Sequence, residues 1–153
     1  MIIDDKLMKY VVFQKRTVFE VRQKCIKLDY TEDYIDEIID YLEENDYLND
    51  KKYVEKYIKN IMRLKSCSMY EIKVSLLKKG VAEEYISDYM NQNIEELTDF
   101  EYESAKKLIY KKAIQVQDID KVKKYMISKG YSFDSINEGI DNFNNLKDNN
   151  SRD

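Results

Sequence analysis

Tyr53 and Tyr57 stand one helical turn apart among Lys51, Lys52, Lys56, Lys59 and Arg63, and Lys65, Lys73, Lys78 and Lys79 follow in the same basic stretch. Aromatic faces stack bases and cationic groups neutralise phosphates, so these residues have the chemistry of single-stranded nucleic-acid binding. Covalent catalysis lacks its parts. The 153 residues contain no histidine, no Gly-x-Ser-x-Gly elbow, no Gly-rich phosphate loop and no Cys-x-x-Cys. Carboxylates are abundant, but their periodicity is that of solvated helix faces, and the chain reads as a non-enzyme without a cofactor or small-molecule ligand. The acidic cluster Glu43, Glu44, Asp46 and Asp50 lacks the central glycine and terminal glutamate of an EF-hand loop, so no metal site is expected. Cys25, at an apolar helix position, and Cys67, beside a helix cap, are too few for a metal cage without histidine and read as reduced thiols, with a disulfide or redox-sensor role as the alternative.

Charge is segregated along the chain. Residues 6–28 carry a net +6, 51–79 a net +7 and 106–129 a net +6, while 29–50, 80–105 and 130–146 carry −10, −8 and −3 with no Lys or Arg. The overall −4 and a pI near 5.1 average this alternation away. Ordinary surface helices mix both signs to support pairs three and four residues apart, so the segregation points to separate basic and acidic surfaces.

The elements that position these side chains follow from an internal repeat. Glu20-Val21-Arg22 lies fifty-one places before Glu71-Ile72-Lys73, which lies fifty before Lys121-Val122-Lys123, and Cys25, Leu76 and Met126 keep the register. Thr17, Ser68 and Asp118 precede these segments as helix N-caps, and Glu20 and Glu71 complete capping boxes for the first two. Turns follow at Asp29, Gly80 and Gly130, where the left-handed conformation that ends a helix suits glycine and must be tolerated by Asp29. With no proline and three glycines, the chain is expected to be all-α. Three tandem three-helix repeats are expected, at 1–48, 49–97 and 98–146, before a disordered tail at 147–153. The expected helices are α1 at 4–15, α2 at 17–28, α3 at 32–45, α4 at 50–65, α5 at 68–79, α6 at 82–95, α7 at 99–115, α8 at 118–129 and α9 at 132–145. Each unit buries little alone, so neighbouring repeats should share apolar surface.

Several readings compete for the surface. Tyr34 and Tyr85 are repeat equivalents, as are Tyr30 and Tyr131, so these rings are more simply explained by packing. Expected helices α2 and α3 resemble a helix-turn-helix, but α3 would present Glu32, Asp33, Asp36, Glu37, Asp40, Glu43 and Glu44, which a duplex backbone repels. No run is long and apolar enough to cross a bilayer, and Met1-Ile2-Ile3 gives way at once to Asp4-Asp5, so a cytoplasmic protein is expected.

Four segments in order resemble the RecX regulatory family: Lys15 through Lys24, Tyr47-Leu48-Asn49-Asp50 through Tyr57, Glu71-Ile72 through Val81, and Lys129-Gly130-Tyr131-Ser132-Phe133-Asp134-Ser135-Ile136. Relative to that pattern, Cys25 replaces a leucine, Asp29 a glycine and Val54 an alanine. The resemblance implies an elongated, curved array of three-helix repeats. It further implies a monomer that binds the RecA recombinase filament on DNA, with DNA phosphates in reach, and suppresses its ATPase, strand-exchange and coprotease activities. Combined with the charge pattern, it implies a partner-binding surface of Arg16, Arg22, Lys51, Lys52, Lys56, Tyr57, Lys59, Arg63, Lys65, Lys73, Lys78 and Lys79, with Asp50 as a cap. A direct single-stranded nucleic-acid binder and a generic helical-repeat adaptor are the alternatives.

Overall fold

Nine α-helices and no strand make up the described residues, 1–151 of a computed structural model: α1 Asp5–Phe13, α2 Val18–Lys27, α3 Glu32–Glu44, α4 Asp50–Leu64, α5 Met69–Lys78, α6 Glu83–Gln92, α7 Ile94–Val116, α8 Ile119–Ser128 and α9 Phe133–Ser151. The all-α, three-by-three order is the one that the internal repeat requires.

The helix ends form as their sequences dictate. Thr17 Oγ1 accepts from Glu20 N (3.1 Å) while Glu20 Oε1 accepts from Thr17 N (3.0 Å), and Ser68 and Glu71 repeat the exchange at 3.1 and 3.2 Å. Asp118 Oδ1 accepts from Asp120 N and Lys121 N. Asp29, Gly80 and Gly130 all adopt positive φ, at 62°, 81° and 84°. Each turn closes with the same six-residue bond, from Tyr30 N to Cys25 O, Val81 N to Leu76 O and Tyr131 N to Met126 O.

Two boundaries differ from the sequence expectation. Helix α6 stops at Gln92, and α7 starts at Ile94 instead of 99, because buried Leu97 anchors its first turn while Glu95 and Glu96 complement the helix dipole. Asn93 offers no side-chain cap, so the sequence carries no start signal there. Helix α9 continues through Lys147 to Ser151, where a disordered tail was expected, and Leu146, Lys147 and Asn150 line an open hollow with Tyr110 and Ile114 of α7. Arg152 and Asp153, the end of that expected tail, lie outside the described residues.

Compactness divides the chain into two units, Met1–Tyr57 with Ser75–Tyr89, and Ile58–Val74 with the chain from Met90 onward. The sequence period cuts at 48/49 and 97/98, whereas this division assigns residues 50–57 of α4 to the first unit and 58–64 to the second. In the first unit, Leu7 and Val11 of α1, Val21 and Cys25 of α2 and Ile35, Ile38, Ile39 and Leu42 of α3 form one core. In the second, Ala105, Ile109 and Ala113 of α7 meet Val122 and Met126 of α8 and Ile136 and Ile140 of α9. Helices α7 and α9 approach closely at buried Gly139, where an added Cβ would strike the Ile109 side chain and crowd Ala105 O.

Candidate binding surface

Within the first unit, the helices that carry the basic residues are tied to one another at a junction of caps and turns. Thr17 Oγ1 caps its own helix and also donates to Lys79 O at 2.7 Å, tying the start of α2 to the turn after α5. Asp50, the first residue of α4, accepts from Val18 N at 3.0 Å and so caps α2, while Asn49 Oδ1 accepts from Lys52 N and caps α4 itself. Gly80 sits under Phe19, and a Cβ there would overlap the ring. Burial is the main force that raises the Asp50 pKa from its ordinary 3.8, and Glu20 adds to it against the Val18 hydrogen bond.

Eight of the expected contact residues belong to the first unit. Arg16 donates Nε–H to Tyr10 O at 3.0 Å with its guanidinium carbon 3.8 Å above the Tyr10 ring. Arg22 pairs with Asp36 of α3 at 2.8 Å, giving one of the α3 carboxylates a cation from α2. That pair is exposed and contributes only about 0.2–1 kcal/mol, so a partner can displace it. Lys51 lies over the Tyr85 ring and Lys79 over the Tyr57 ring, at 5.4 and 5.8 Å from the centroids. Tyr57 stacks on Tyr53, with centroids 6.0 Å apart and planes 16° from parallel. This stack is packing within the protein and engages both rings that the sequence offered for bases. Lys52 is 3.4 Å from Asp46, while Lys56 and Lys78 are exposed. Asp46 and Asp50, half of the acidic cluster, are thus directed to Lys52 and Val18 N.

Lys15, Arg16, Lys52 and Lys56 converge on one hollow of about 180 Å³, together with Asp46, Tyr47, Asn49 and Tyr53. Lys15 was not among the expected contacts. Its side of the hollow comes from the α1–α2 loop and the other from α4, and only the fold brings them together.

Lys59, Arg63, Lys65 and Lys73 belong to the second unit. Arg63 donates to Asn60 Oδ1 at 3.4 Å. Arg63 and Lys65 line a hollow of about 480 Å³ that also holds Lys107, Glu96, Asp99 and Glu103, so cations and acids balance there. Lys59 is exposed, and Lys73 is half-buried. The second unit also repeats the junction. Ser68 Oγ donates to Lys129 O at 2.6 Å, and Glu101 Oε1 accepts from Met69 N at 3.0 Å. Glu101 Oε2 also accepts from the Ser132 and Ser135 hydroxyls, at 3.0 and 2.6 Å. Glu101 was missed from sequence, although it lies fifty-one places after Asp50 and that spacing could have identified it.

Both cysteines are free thiols, and burial raises their pKa values, that of Cys67 to about 11, which keeps them protonated and poorly nucleophilic. Among the described residues no helix is long and apolar enough to cross a membrane.

No protein-family model matches the chain. It is 37% identical over 130 residues to the regulatory protein RecX of Clostridium perfringens, covering 80% of this chain and 59% of that protein. It is 33% identical over 136 residues to the regulatory protein RecX of Staphylococcus carnosus, covering 88% and 51%. The crystal structure of RecX from Lactobacillus salivarius superposes with a TM-score of 0.80 at 31% identity, over 92% of this chain and 93% of that one. The chain belongs to the RecX family. A further RecX crystal structure, 22% identical with a TM-score of 0.80, shares the fold. The chain spans between about half and three-fifths of the length of the curated RecX relatives it matches. Those relatives are named regulatory proteins.

Proposed function

We propose that the chain is a non-enzymatic regulator that binds the RecA–DNA filament and lowers its ATPase, strand-exchange and coprotease activities. The observation that carries this reading is the match to a RecX crystal structure along nearly the whole of both chains. The repeat boundaries at 48/49 and 97/98 belong to the same reading, as does action in the cytoplasm as a monomer. The segregated charge supplies a mechanism. Cations of α2, α4 and α5 face phosphates or acidic filament surfaces, while the α3 carboxylates face basic recombinase loops. Bridging neighbouring recombinase subunits restrains the motion that ATP hydrolysis requires, and repeated contacts along a polymer raise the effective concentration of each one.

The test is the single-stranded-DNA-dependent ATPase of the cognate RecA, titrated with this protein beside a variant in which Lys56, Lys59 and Arg63 are all changed to Glu. Inhibition well below one protein per recombinase is expected. The triple variant should need at least about tenfold more protein, which corresponds to about 1.4 kcal/mol. No inhibition at saturating wild-type protein would overturn the reading.

A further inference from the structure

We propose that the hollow between the α1–α2 loop and the start of α4 binds one phosphate group, and that this group is a phosphodiester of a single-stranded nucleic-acid backbone. Lys15, Arg16, Lys52 and Lys56 line it with Asp46 as the only carboxylate, so the site is strongly cationic within a protein of net charge −4. At about 180 Å³ it falls below the about 300–1,000 Å³ of cofactor sites. A phosphate group fits within it, with the attached sugars extending outside.

The donors are held ready. Arg16 spends Nε–H on Tyr10 O and is braced on the Tyr10 ring, which leaves its terminal N–H groups to bind an anion in a fixed plane. Asn49 Oδ1 accepts from Lys52 N at 3.1 Å, and since that N–H can only donate, the Asn49 amide is oriented with its NH₂ left to give. The Tyr53 hydroxyl is pushed up to about 12 by burial and by Glu20, so it stays a neutral donor. The one carboxylate in the lining, Asp46, holds Lys52 at 3.4 Å in an exposed pair that a phosphate displaces at little cost, while Glu20 acts on the site only through Tyr53. The comparable hollow beside Arg63 and Lys65 is balanced by three carboxylates and lacks this bias.

The test uses the full chain without recombinase, so it stands or falls separately from RecA inhibition. Nitrogen-15-labelled protein is titrated with an oligo(dT) and, separately, with inorganic phosphate. Affinity for the oligonucleotide is then followed against salt for wild type, K15A/K56A and a control, K123A/K124A, with the same charge change on exposed α8 residues. Oligo(dT) should shift the amides of Lys15, Arg16, Asn49 and Lys52. The log–log salt slope should flatten by about 1.4 in K15A/K56A, two contacts at about 0.7 each, and not in the control. The proposal is overturned by the absence of these shifts, by an equal slope change in both variants, or by a response to inorganic phosphate alone. The last outcome would assign the hollow to free phosphate. The substituted lysines are exposed, and an unchanged melting temperature checks that each variant remains folded.

Discussion

The two inter-repeat junctions perform the same task with different side chains. In the first unit Thr17 reaches Lys79 O and Asp50 caps Val18 N; in the second Ser68 reaches Lys129 O and Glu101 caps Met69 N. The difference lies in the acid. Asp50 is half-buried and caps a single neighbouring amide, whereas Glu101 is only 2% exposed. Its one extra methylene lets it reach the hydroxyls of Ser132 and Ser135 as well. A buried carboxylate is tolerable only when its lone pairs are filled, and three donors fill those of Glu101. The second junction is therefore a closed polar network, and the first is a partly hydrated cap.

Removing the two acids should expose that contrast most strongly. Glu101→Ala leaves the Met69 amide without an acceptor and takes from Ser132 and Ser135 the carboxylate they share, so a loss of about 2–4 kcal/mol is expected. Asp50→Ala lets water reach Val18 N and should lose about 1–2 kcal/mol, the range for a helix cap. Urea denaturation of both variants measures the pair. Equal losses would mean that burial of Glu101 carries no more energy than the exposed cap, and the contrast between the junctions would be gone.

The turns sharpen the comparison at a smaller scale. Gly130 at φ 84° lies under Tyr70 as Gly80 lies under Phe19, so alanine at either position meets both left-handed strain and an aromatic ring. A loss of about 2 kcal/mol or more is expected for Gly80→Ala and Gly130→Ala. Asp29, the third equivalent, is exposed at φ 62°. Asp29→Gly should relieve the strain and raise stability by up to about 1 kcal/mol. Thermal unfolding checks the opposite signs, and a destabilised Asp29→Gly variant would show that the aspartate has a favourable role of its own at this turn.

The features legible in the sequence are those written in local, periodic residues. Thr17, Ser68 and Asp118 as caps, the positive φ at Asp29, Gly80 and Gly130, and the apolar registers through Cys25, Leu76 and Met126 all form as the repeat requires. The start of α7 was not legible, because Asn93 makes no side-chain cap and the anchor is the burial of Leu97. Glu101 was hidden in an acidic stretch with Asp99 and Glu103 that reads as a solvated face; its offset from Asp50 is the sequence signal that sets it apart, and the fold shows that it turns inward while Asp99 and Glu103 stay exposed. At the surface, the basic stretch was plain, but the convergence of Lys15 with Lys52 and Lys56 depends on tertiary return of the α1–α2 loop. The stacking of Tyr53 on Tyr57 likewise needed coordinates, since spacing alone places the rings on one face without saying what they face.

The smallest effect is the pH dependence that Asp50 gives the first junction. Burial raises the Asp50 pKa above its ordinary 3.8, so the folded protein holds this proton more tightly than the unfolded chain does. Stability linked to Asp50 is therefore fully present below about pH 3.8 and is lost as pH rises through the higher folded value. Asp50→Asn keeps an oxygen to accept from Val18 N and removes the titration. The stability of Asp50→Asn relative to wild type should accordingly increase between about pH 3 and pH 7, with most of the change just above the ordinary aspartate range. Urea midpoints taken across that range for both proteins give the difference directly, with the other carboxylates cancelling to first order. A difference that stays flat would mean that water at the half-open cap solvates the charge fully. A difference that runs the other way would mean that the Val18 hydrogen bond outweighs burial, and the first junction would then favour a charged acid.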